Sequence, residues 1–149
     1  MRIVQAHTEE ELGAVRELFQ EYWNSFDFTP CFQGFGDELA TLPGKYIAIG
    51  LLFMPEGVAG CVALRPFDEG RGEFKRLYVR PAWRGQGIGV KLLQWVIAQA
   101  RERGYRELVA DTMPQMTSAL AMYDRAGFER TAPYSEDPTP GAVYLRLVL

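Results

Sequence analysis

The sequence predicts an α/β fold in which a mixed, mainly antiparallel central sheet is flanked by helices. In the first half of the chain, short apolar segments alternate with turn residues, as antiparallel strands do. In the second half, strand-like segments alternate with helix-like ones, which is typical of a strand–helix–strand crossover. No repeat or linker interrupts the 149 residues, so we expect a single domain over 1–149.

The first half contains signals for a helix start, a helix end and a hairpin. Thr8 and Glu11 have the T-x-x-E spacing of a capping box, and apolar residues then recur every three or four positions. Pro43 and Gly44 end a second, short helix, and residues 54–57 form a turn between two strands. The predicted elements are a strand at 2–6, helices at 9–25 and 37–42, and strands at 46–53, 58–64 and 73–79.

The second half is divided by glycines. A glycine-rich loop at 81–89 precedes a segment with helical periodicity. Gly104 and Gly127 each follow such a segment and are placed to end a helix. The predicted elements are helices at 88–103 and 117–126 and strands at 108–110 and 143–149.

The composition excludes several classes of protein. Apolar residues make up 48 % and charged residues 23 %, which supplies a core and argues against disorder. No apolar stretch approaches the ~20 residues of a membrane span, and acidic residues 9–11 stand where a signal peptide needs a basic start. The isoelectric point of about 5.2 argues against nucleic-acid binding. We therefore expect a cytoplasmic protein with neither a membrane nor a nucleic acid as partner.

Metal and disulfide sites are not indicated. Cys31 and Cys61 lie thirty positions apart with no CxxC spacing, and both are expected to be buried. His7, the only histidine, has no Cys or acidic partner at metal-ligand spacing. We expect no bound metal.

Charge is unevenly distributed along the chain. Residues 1–42 hold eight acids and two bases, a net charge of -6, whereas the remainder holds eleven acids and fourteen bases, a net charge of +3. One interpretation is an anionic ligand for the second part and a cationic one near the first. The other is a solvated acidic helix face.

Residues 84–89, R-G-Q-G-I-G, lie between a predicted strand and a predicted helix. Glycines let the backbone approach a ligand closely, and a helix N-terminus offers unpaired N–H groups, which together predict a pyrophosphate site. A Walker loop does not fit because Leu92, not Ser or Thr, follows Lys91. A dinucleotide fingerprint fits poorly because its sixth position is Val90 and the preceding strand is polar, although Asp111 lies at about the required spacing.

Arg84, Gly87 and Gly89 match every defined position of the R/Q-x-x-G-x-G/A loop. With this loop, residues 73–89 resemble the acetyl-CoA motif of the GNAT N-acetyltransferase superfamily, and residues 119–128 resemble its A-x-x-L-Y-x-x-x-G-F segment. The predicted element order agrees with that fold along nearly the whole chain. The resemblance implies direct transfer of acetyl from acetyl-CoA to an amine, without a metal. The alternative is a CoA-binding sensor or interaction domain without turnover.

The resemblance also implies where CoA binds. Backbone N–H groups of the loop hold the pyrophosphate, and the edge of the preceding strand pairs with the pantetheine arm. We further expect Arg84, Arg80 or Lys91 to contact the phosphates, because these bases surround a polyanion site. The implied cofactor-binding residues are Leu77, Tyr78, Val79, Arg84, Gly85, Gln86, Gly87, Ile88 and Gly89.

Two catalytic residues are carried over from the resemblance. Glu73 is the general base, acting directly or through water; its alternative is a surface strand acid paired with Lys75 or Arg71. Tyr123 protonates the departing thiolate; its alternative is a core tyrosine. Weaker candidates for a role in catalysis are Tyr134 and Ser118.

The strand before the loop has an irregular pattern. Apolar Phe74 lies at an even-numbered position, whereas Leu77 and Val79 lie at odd-numbered ones. In a regular strand these apolar side chains would point to opposite faces, so the pattern predicts a β-bulge between Phe74 and Leu77. The alternative is a strand buried on both faces at one end. Members of the family use an N–H group freed by such a bulge to polarise the thioester carbonyl.

The sequence departs from the family at one position and leaves the acceptor open. Many relatives carry Asn seven residues before the helix Tyr, and Met116 stands there instead, which puts the contact of that Asn with the cofactor in doubt. The aromatic segment 26–35 and the acidic first 42 residues either line a pocket for a cationic or aryl amine or pack into the core. A homodimer is a further expectation.

Overall fold

A computed structural model describes residues 1–26, 35–135, 138 and 140–149. Seven strands and four α-helices account for most of these residues, and a 3₁₀ turn at Pro81–Trp83 precedes the third helix. In chain order the elements are β1 Arg2–Gln5, α1 Glu9–Asn24, α2 Phe35–Ala40, β2 Ala48–Met54, β3 Gly57–Pro66, β4 Arg71–Val79, α3 Ile88–Glu102, β5 Glu107–Thr112, α4 Thr117–Ala126, β6 Glu129–Thr131 and β7 Val143–Val148.

The strands form one sheet in the order β1-β2-β3-β4-β5-β7-β6. Every neighbouring pair is antiparallel except β4 and β5, which the α3 crossover makes parallel. The predicted mixed, mainly antiparallel sheet flanked by helices is therefore confirmed.

Each face of the sheet carries its own core. Helices α3 and α4 cover one face, where Phe74 packs with residues such as Leu92 and Val96. Helices α1 and α2 cover the other face, where Leu18 and Cys61 are fully buried. Cys61 is thus buried as predicted, and Cys31 lies outside the described residues.

The predicted capping box starts α1. The Thr8 hydroxyl accepts a hydrogen bond from the Glu11 N–H at 3.1 Å, and the Glu11 carboxylate accepts one from the Thr8 N–H at 3.1 Å. These two bonds satisfy backbone donors that the first turn of a helix leaves unpaired.

Two elements were not predicted from the sequence. Strand β6 has only three residues, which is too short for a periodicity, and it forms by pairing with β7. The 3₁₀ turn lies inside the stretch predicted as loop. Strand β5 also continues beyond the predicted 108–110, because Asp111 and Thr112 pair with β7.

The two parallel strands separate along their length. β4 pairs with β5 only at three positions, of which Glu73 opposite Val109 is the last. Beyond this position β4 continues to Val79 and β5 to Thr112 without pairing to each other. A wedge-shaped opening therefore lies between the second halves of these two strands, and we refer to it as the β4–β5 opening.

Candidate active site

A β-bulge in β4 borders the β4–β5 opening. The register with β3 shifts between Cys61 opposite Tyr78 and Ala63 opposite Lys75. Within this interval Arg76 has a φ of +60°, a left-handed conformation that non-glycine residues adopt rarely. The bulge predicted from side-chain parity is therefore confirmed.

The bulge changes which way the backbone of β4 points. The N–H of Arg80 donates to the carbonyl of Ala59 on β3 at 2.8 Å. Because N–H groups alternate between the two edges of a strand, those of Val79 and Leu77 point away from β3, into the β4–β5 opening. These are the donors available to a molecule lying in the opening.

An ion pair from α2 holds the bulge. The Arg76 guanidinium donates two hydrogen bonds to the Glu38 carboxylate, at 2.9 and 3.0 Å, and the Lys45 ammonium lies 3.3 Å from the same carboxylate. Burial raises the pKa of Glu38, but the hydrogen bonds and charge of Arg76 outweigh it and hold that pKa below its ordinary value of 4.5. Glu38 is therefore a charged, buried anchor for β4.

The glycine-rich loop presents a bare backbone at the start of α3. Gly85 and Gly87 have φ values of +82° and +78°, and a Cβ built on either would contact no protein atom within 4 Å. Gly87 has no side chain to cap the helix, so the N–H groups of the first turn stay open. This arrangement suits the pyrophosphate of CoA, whose charge the helix N-terminus favours.

Gly89 serves packing instead. A Cβ at Gly89 would lie 3.4 Å from the sulfur of Met122, so the absence of a side chain allows α4 to approach α3 closely. This glycine therefore belongs to the loop motif for a different reason from Gly87.

The three bases near the loop have different partners. The Arg84 guanidinium donates to the Val79 carbonyl at 2.9 Å, and Lys91 is exposed. Arg80, expected to share the phosphate contacts, is instead paired with Glu21 of α1 at 2.7 Å. Among the described residues, Arg84 and Lys91 thus have no carboxylate at ion-pair distance, whereas Arg80 pairs with Glu21.

Tyr123 lies on α4 beneath the β4–β5 opening. Its ring packs against Phe74 at a centroid distance of 5.4 Å and against Phe128 at 5.9 Å. Burial raises the pKa of Tyr123, and the neighbouring Tyr22 and Asp111 raise it further. The Tyr123 ring is therefore a core residue on the face that α3 and α4 cover.

Glu73 is buried, so the surface position of its alternative is wrong, whereas the pairing with Lys75 that the alternative named is present. The Glu73 side chain is only 5 % exposed. The hydroxyl of Tyr134 donates to one carboxylate oxygen at 2.5 Å, and Lys75 lies 3.7 Å from that oxygen. The other oxygen lies 3.4 Å from Nε of Arg65. Both oxygens of Glu73 therefore have protein partners.

Lys75 and Asp111 form an ion pair across the β4–β5 opening that was not predicted from the sequence. The Lys75 Nζ donates to the Asp111 carboxylate at 3.1 Å. Lys75 lies on β4 and Asp111 on β5, each two residues past the last paired position of its strand. Residues two positions apart in a strand point to the same face, so Lys75 and Asp111 share the face of Glu73 and Val109. This spacing was the only signal for the contact in the sequence.

Glu73 and Tyr123 lie on opposite faces of the sheet. Phe74, which touches Tyr123, follows Glu73 directly, and successive side chains of a strand point to opposite faces. The structure therefore places the two sequence-predicted catalytic residues on either side of the β4–β5 opening.

The two weaker catalytic candidates, Tyr134 and Ser118, lie in different environments. Tyr134 packs against Phe67 at 4.9 Å and Tyr144 at 5.1 Å, and burial followed by the charge of Glu73 raises the pKa of Tyr134. This hydroxyl is therefore a proton donor to Glu73. Ser118 is exposed in the first turn of α4.

Met116, which replaces the family Asn, precedes α4. The Thr112 hydroxyl donates to the Met116 sulfur at 3.2 Å. A thioether can only accept a hydrogen bond, so Met116 cannot donate one as an Asn amide does.

Only the ends of the aromatic segment are described. Phe26 packs against Tyr22 at 5.0 Å, and Phe35 stacks on Trp23 at 4.4 Å. Residues 27–34, with Phe28, Cys31 and Phe32, lie outside the described residues.

The described residues contain no metal-binding cluster and no membrane-spanning helix. Across residues 1–26, 35–135, 138 and 140–149, no group of three His, Cys, Asp or Glu side chains could hold a metal ion. No helix within those ranges has the length and apolarity to cross a membrane.

Comparison with known proteins identifies the family. Residues 12–128 match the model of the acetyltransferase (GNAT) family. An uncharacterised N-acetyltransferase of Schizosaccharomyces pombe is 40 % identical over 144 residues, covering 93 % of this chain and 88 % of the relative. The match over most of the chain confirms the resemblance.

Solved structures agree in fold. A protein of Klebsiella pneumoniae described as an acyl-CoA N-acyltransferase is 27 % identical, with a TM-score of 0.76 and coverage of 99 % of this chain and 97 % of that one. An acetyl-CoA-bound protein of Salmonella typhimurium, 22 % identical, has a TM-score of 0.77 and coverage of 99 % and 93 %. Together with the family match and the yeast relative, this shows that the chain belongs to the acetyltransferase (GNAT) family and is an acetyl-CoA-dependent N-acetyltransferase.

Proposed function

We propose that acetyl-CoA binds in the β4–β5 opening, with its thioester between Glu73 and Tyr123. The observation that carries this proposal is that β4 and β5 stop pairing at Glu73, with Glu73 and Tyr123 on opposite faces at that point. A thioester there lies within reach of a base on one face and an acid on the other.

The backbone does most of the binding in this proposal. The N–H groups of the loop hold the pyrophosphate, and those of Leu77 and Val79 pair with the pantetheine amides, replacing the missing strand. Arg84 and Lys91 add charge near the phosphates. The residues assigned to CoA binding are Leu77, Tyr78, Val79, Arg84, Gly85, Gln86, Gly87, Ile88 and Gly89. Among these, Tyr78 lies between the two backbone donors and supplies none itself, because its backbone faces β3 and its ring packs against Tyr22.

The chemistry needs two proton transfers. The amine nitrogen attacks the thioester carbon, the C–N bond forms, and the C–S bond breaks. The proton lost by nitrogen goes to Glu73, and the thiolate takes the hydroxyl proton of Tyr123. The Tyr134 hydroxyl and the Lys75 ammonium already contact Oε2 of Glu73. The amine proton therefore reaches Glu73 through water or through the Tyr134 hydroxyl.

The test compares Glu73→Gln and Tyr123→Phe with matched controls. Thiol release from acetyl-CoA is measured with amines of high and low pKa. We expect Glu73→Gln to slow a basic amine by about 10²- to 10⁴-fold and an already neutral aryl amine much less. Tyr123→Phe keeps the ring contacts and should slow every amine alike while still binding CoA.

Glu69→Gln in the exposed β3–β4 turn and Tyr105→Phe beside α3 serve as controls and should keep the parental rate. Parental turnover in Tyr123→Phe would leave Tyr123 a packing residue. A loss in Glu73→Gln that does not depend on amine pKa would remove Glu73 as the base.

Our proposal also covers the domain organisation, location and oligomeric state of the protein. We propose a single domain over 1–149 that acts in the cytoplasm, without a metal and without nucleic acid, as a homodimer. The acidic isoelectric point of about 5.2 supports the absence of a nucleic-acid partner. EDTA should leave the rate unchanged, and light scattering at several concentrations should give twice the monomer mass of 16.9 kDa.

A further inference from the structure

A depression of about 560 Å³ lies beside Glu73. Val109 forms part of its floor, and Val109 is the residue that pairs with Glu73. Tyr134 forms part of its wall and donates its hydroxyl to Glu73. The depression is therefore on the same sheet face as Glu73, and Val109 and Tyr134 lie between the depression and Glu73.

The depression occupies the half of this face that α1 leaves open. Helix α1 contacts β3 and β4, whereas the depression lies over β5, β7 and β6. Its walls are the β3–β4 turn and the segment after β6. An acceptor entering here would meet Glu73 from the face opposite Tyr123.

Three arginines converge on the depression. Arg71 is neutralised by Asp68, whose carboxylate lies 2.7 Å from its Nη2. Arg146 lies 3.8 Å from Glu107 and 3.6 Å from Glu129, within ion-pair distance but too far for a hydrogen bond.

Arg106 adds a charge without a close acid. Within the described part of the chain, it has no carboxylate within ion-pair distance. Its guanidinium lies against Gly70, where a Cβ would overlap Nη2, and its N–H donates to the Gly70 carbonyl at 2.8 Å. The lining carries three arginines against the two acids Asp68 and Glu107, and Glu129 next to the lining pairs with Arg146. Among the described residues, Arg106 is therefore the lining arginine that no acid compensates.

From this charge and position we infer that the acceptor is a small primary amine that carries a carboxylate. The carboxylate binds Arg146 and Arg106, and the amine lies at Glu73. Two strand spacings, about 10 Å, separate the backbones of Glu73 and Arg146. An amino acid spans less than half of this distance between its amine and its carboxylate, so the long side chains of Glu73 and Arg146 have to cover the rest. The fitting class is α- and β-amino acids. This inference rests on the proposed function, since it uses Glu73 as the base.

A purely cationic amine fits the same site less well. Lys75 already stands within 3.7 Å of Glu73 and 3.1 Å of Asp111, so both carboxylates have a cation. A carboxylate at Arg106 and Arg146 instead gains charge-assisted hydrogen bonds that the depression does not supply internally.

The test compares each acceptor with its own primary amide. Glycine, L-alanine, L-phenylalanine and β-alanine are assayed beside their amides by thiol release and by the mass of the N-acetyl product. The amine of an amide is less basic and more often neutral, so amine reactivity alone favours the amide. We expect the acid to have a kcat/KM about 10- to 100-fold higher, the scale of hydrogen bonds to a charged group.

Arg146→Met and Arg106→Met should reduce this ratio toward one, while Arg101→Met on exposed α3 should keep it. A ratio of one in the parent, or a ratio unchanged in both variants, overturns the inference. Turnover of uncharged or polyamine acceptors without any amino acid also overturns it but leaves the proposed function intact. Failure to bind CoA, with no amine turned over, overturns both.

Discussion

Replacing Gly87 by alanine separates backbone strain from ligand binding. Gly87 has a φ of +78° and open space where a Cβ would stand. In the proposed complex that space is the surface on which the pyrophosphate lies. The methyl group should therefore strain the loop and also keep the phosphates away from the N–H groups of α3.

Gly104 provides the matched control. Its φ is +81°, and a Cβ there also meets nothing within 4 Å, but it follows the other end of α3, about 25 Å away. A left-handed conformation costs an ordinary residue about 1–2 kcal/mol, so both alanine variants should lose about that much stability. For a chain of this size the melting temperature should fall by roughly 2–8 °C in each.

Only Gly87→Ala should lose affinity for CoA. A lost hydrogen bond to a charged group costs about 1.5–3 kcal/mol, which corresponds to about 10- to 100-fold in the dissociation constant. Calorimetric titration of both variants and the parent measures this. If the two alanine variants bind CoA equally well, the loop assignment is wrong.

Two further predictions concern the buried and exposed ion pairs. Because the pKa of Glu38 is lowered, its pairing with Arg76 stabilises the fold above pH 4.5, and this stabilisation is lost as the pH falls further. Glu38→Gln should lower the free energy of unfolding by about 3–5 kcal/mol at pH 7. The melting temperature of this variant should fall less with acidification than that of the parent. A difference between parent and variant that stays constant from pH 7 to pH 3 would contradict this. Raising the salt concentration should weaken the binding of CoA more than the binding of a neutral pantetheine fragment. Arg84→Met should reduce the salt dependence of CoA binding. Arg80→Met should not reduce it, because Arg80 is paired with Glu21. Equal salt dependence in the two arginine variants would remove the distinction.

Features that depend on near neighbours in the chain could be predicted. The capping box needs only Thr8 and Glu11, and the bulge needs only the parity of Phe74 against Leu77. The glycine loop and the start of its helix likewise lie within six residues, 84–89. Local sequence fixes such features because their geometry is set within one or two turns of backbone.

Pairs of distant charges could not be predicted. The acidic first part of the chain was interpreted either as a solvated face or as a site for a cation. The structure instead pairs two of these acids with arginines in or next to β4, Glu38 with Arg76 and Glu21 with Arg80, which are 38 and 59 positions apart. Pairings at such separations depend on how elements pack, which the charge pattern alone does not contain.

The environment of Glu73 was missed for the same reason. A glutamate at the start of a polar strand suggests an exposed position. Tyr134, 61 positions later, covers it, and Lys75 continues the network to Asp111. The separation of β4 from β5 creates this site, and that separation is a property of the sheet.

A crystal structure of the protein with acetyl-CoA would show directly whether the thioester lies in the β4–β5 opening. We expect the pyrophosphate oxygens within hydrogen-bond distance of the backbone N–H groups of 85–89, and the pantetheine arm along Leu77 and Val79. The thioester should lie in the β4–β5 opening, with its sulfur near the Tyr123 hydroxyl and its carbonyl carbon accessible from the Glu73 face. A cofactor bound outside the opening, or a thioester closed off from Glu73 and Tyr123, would contradict the account.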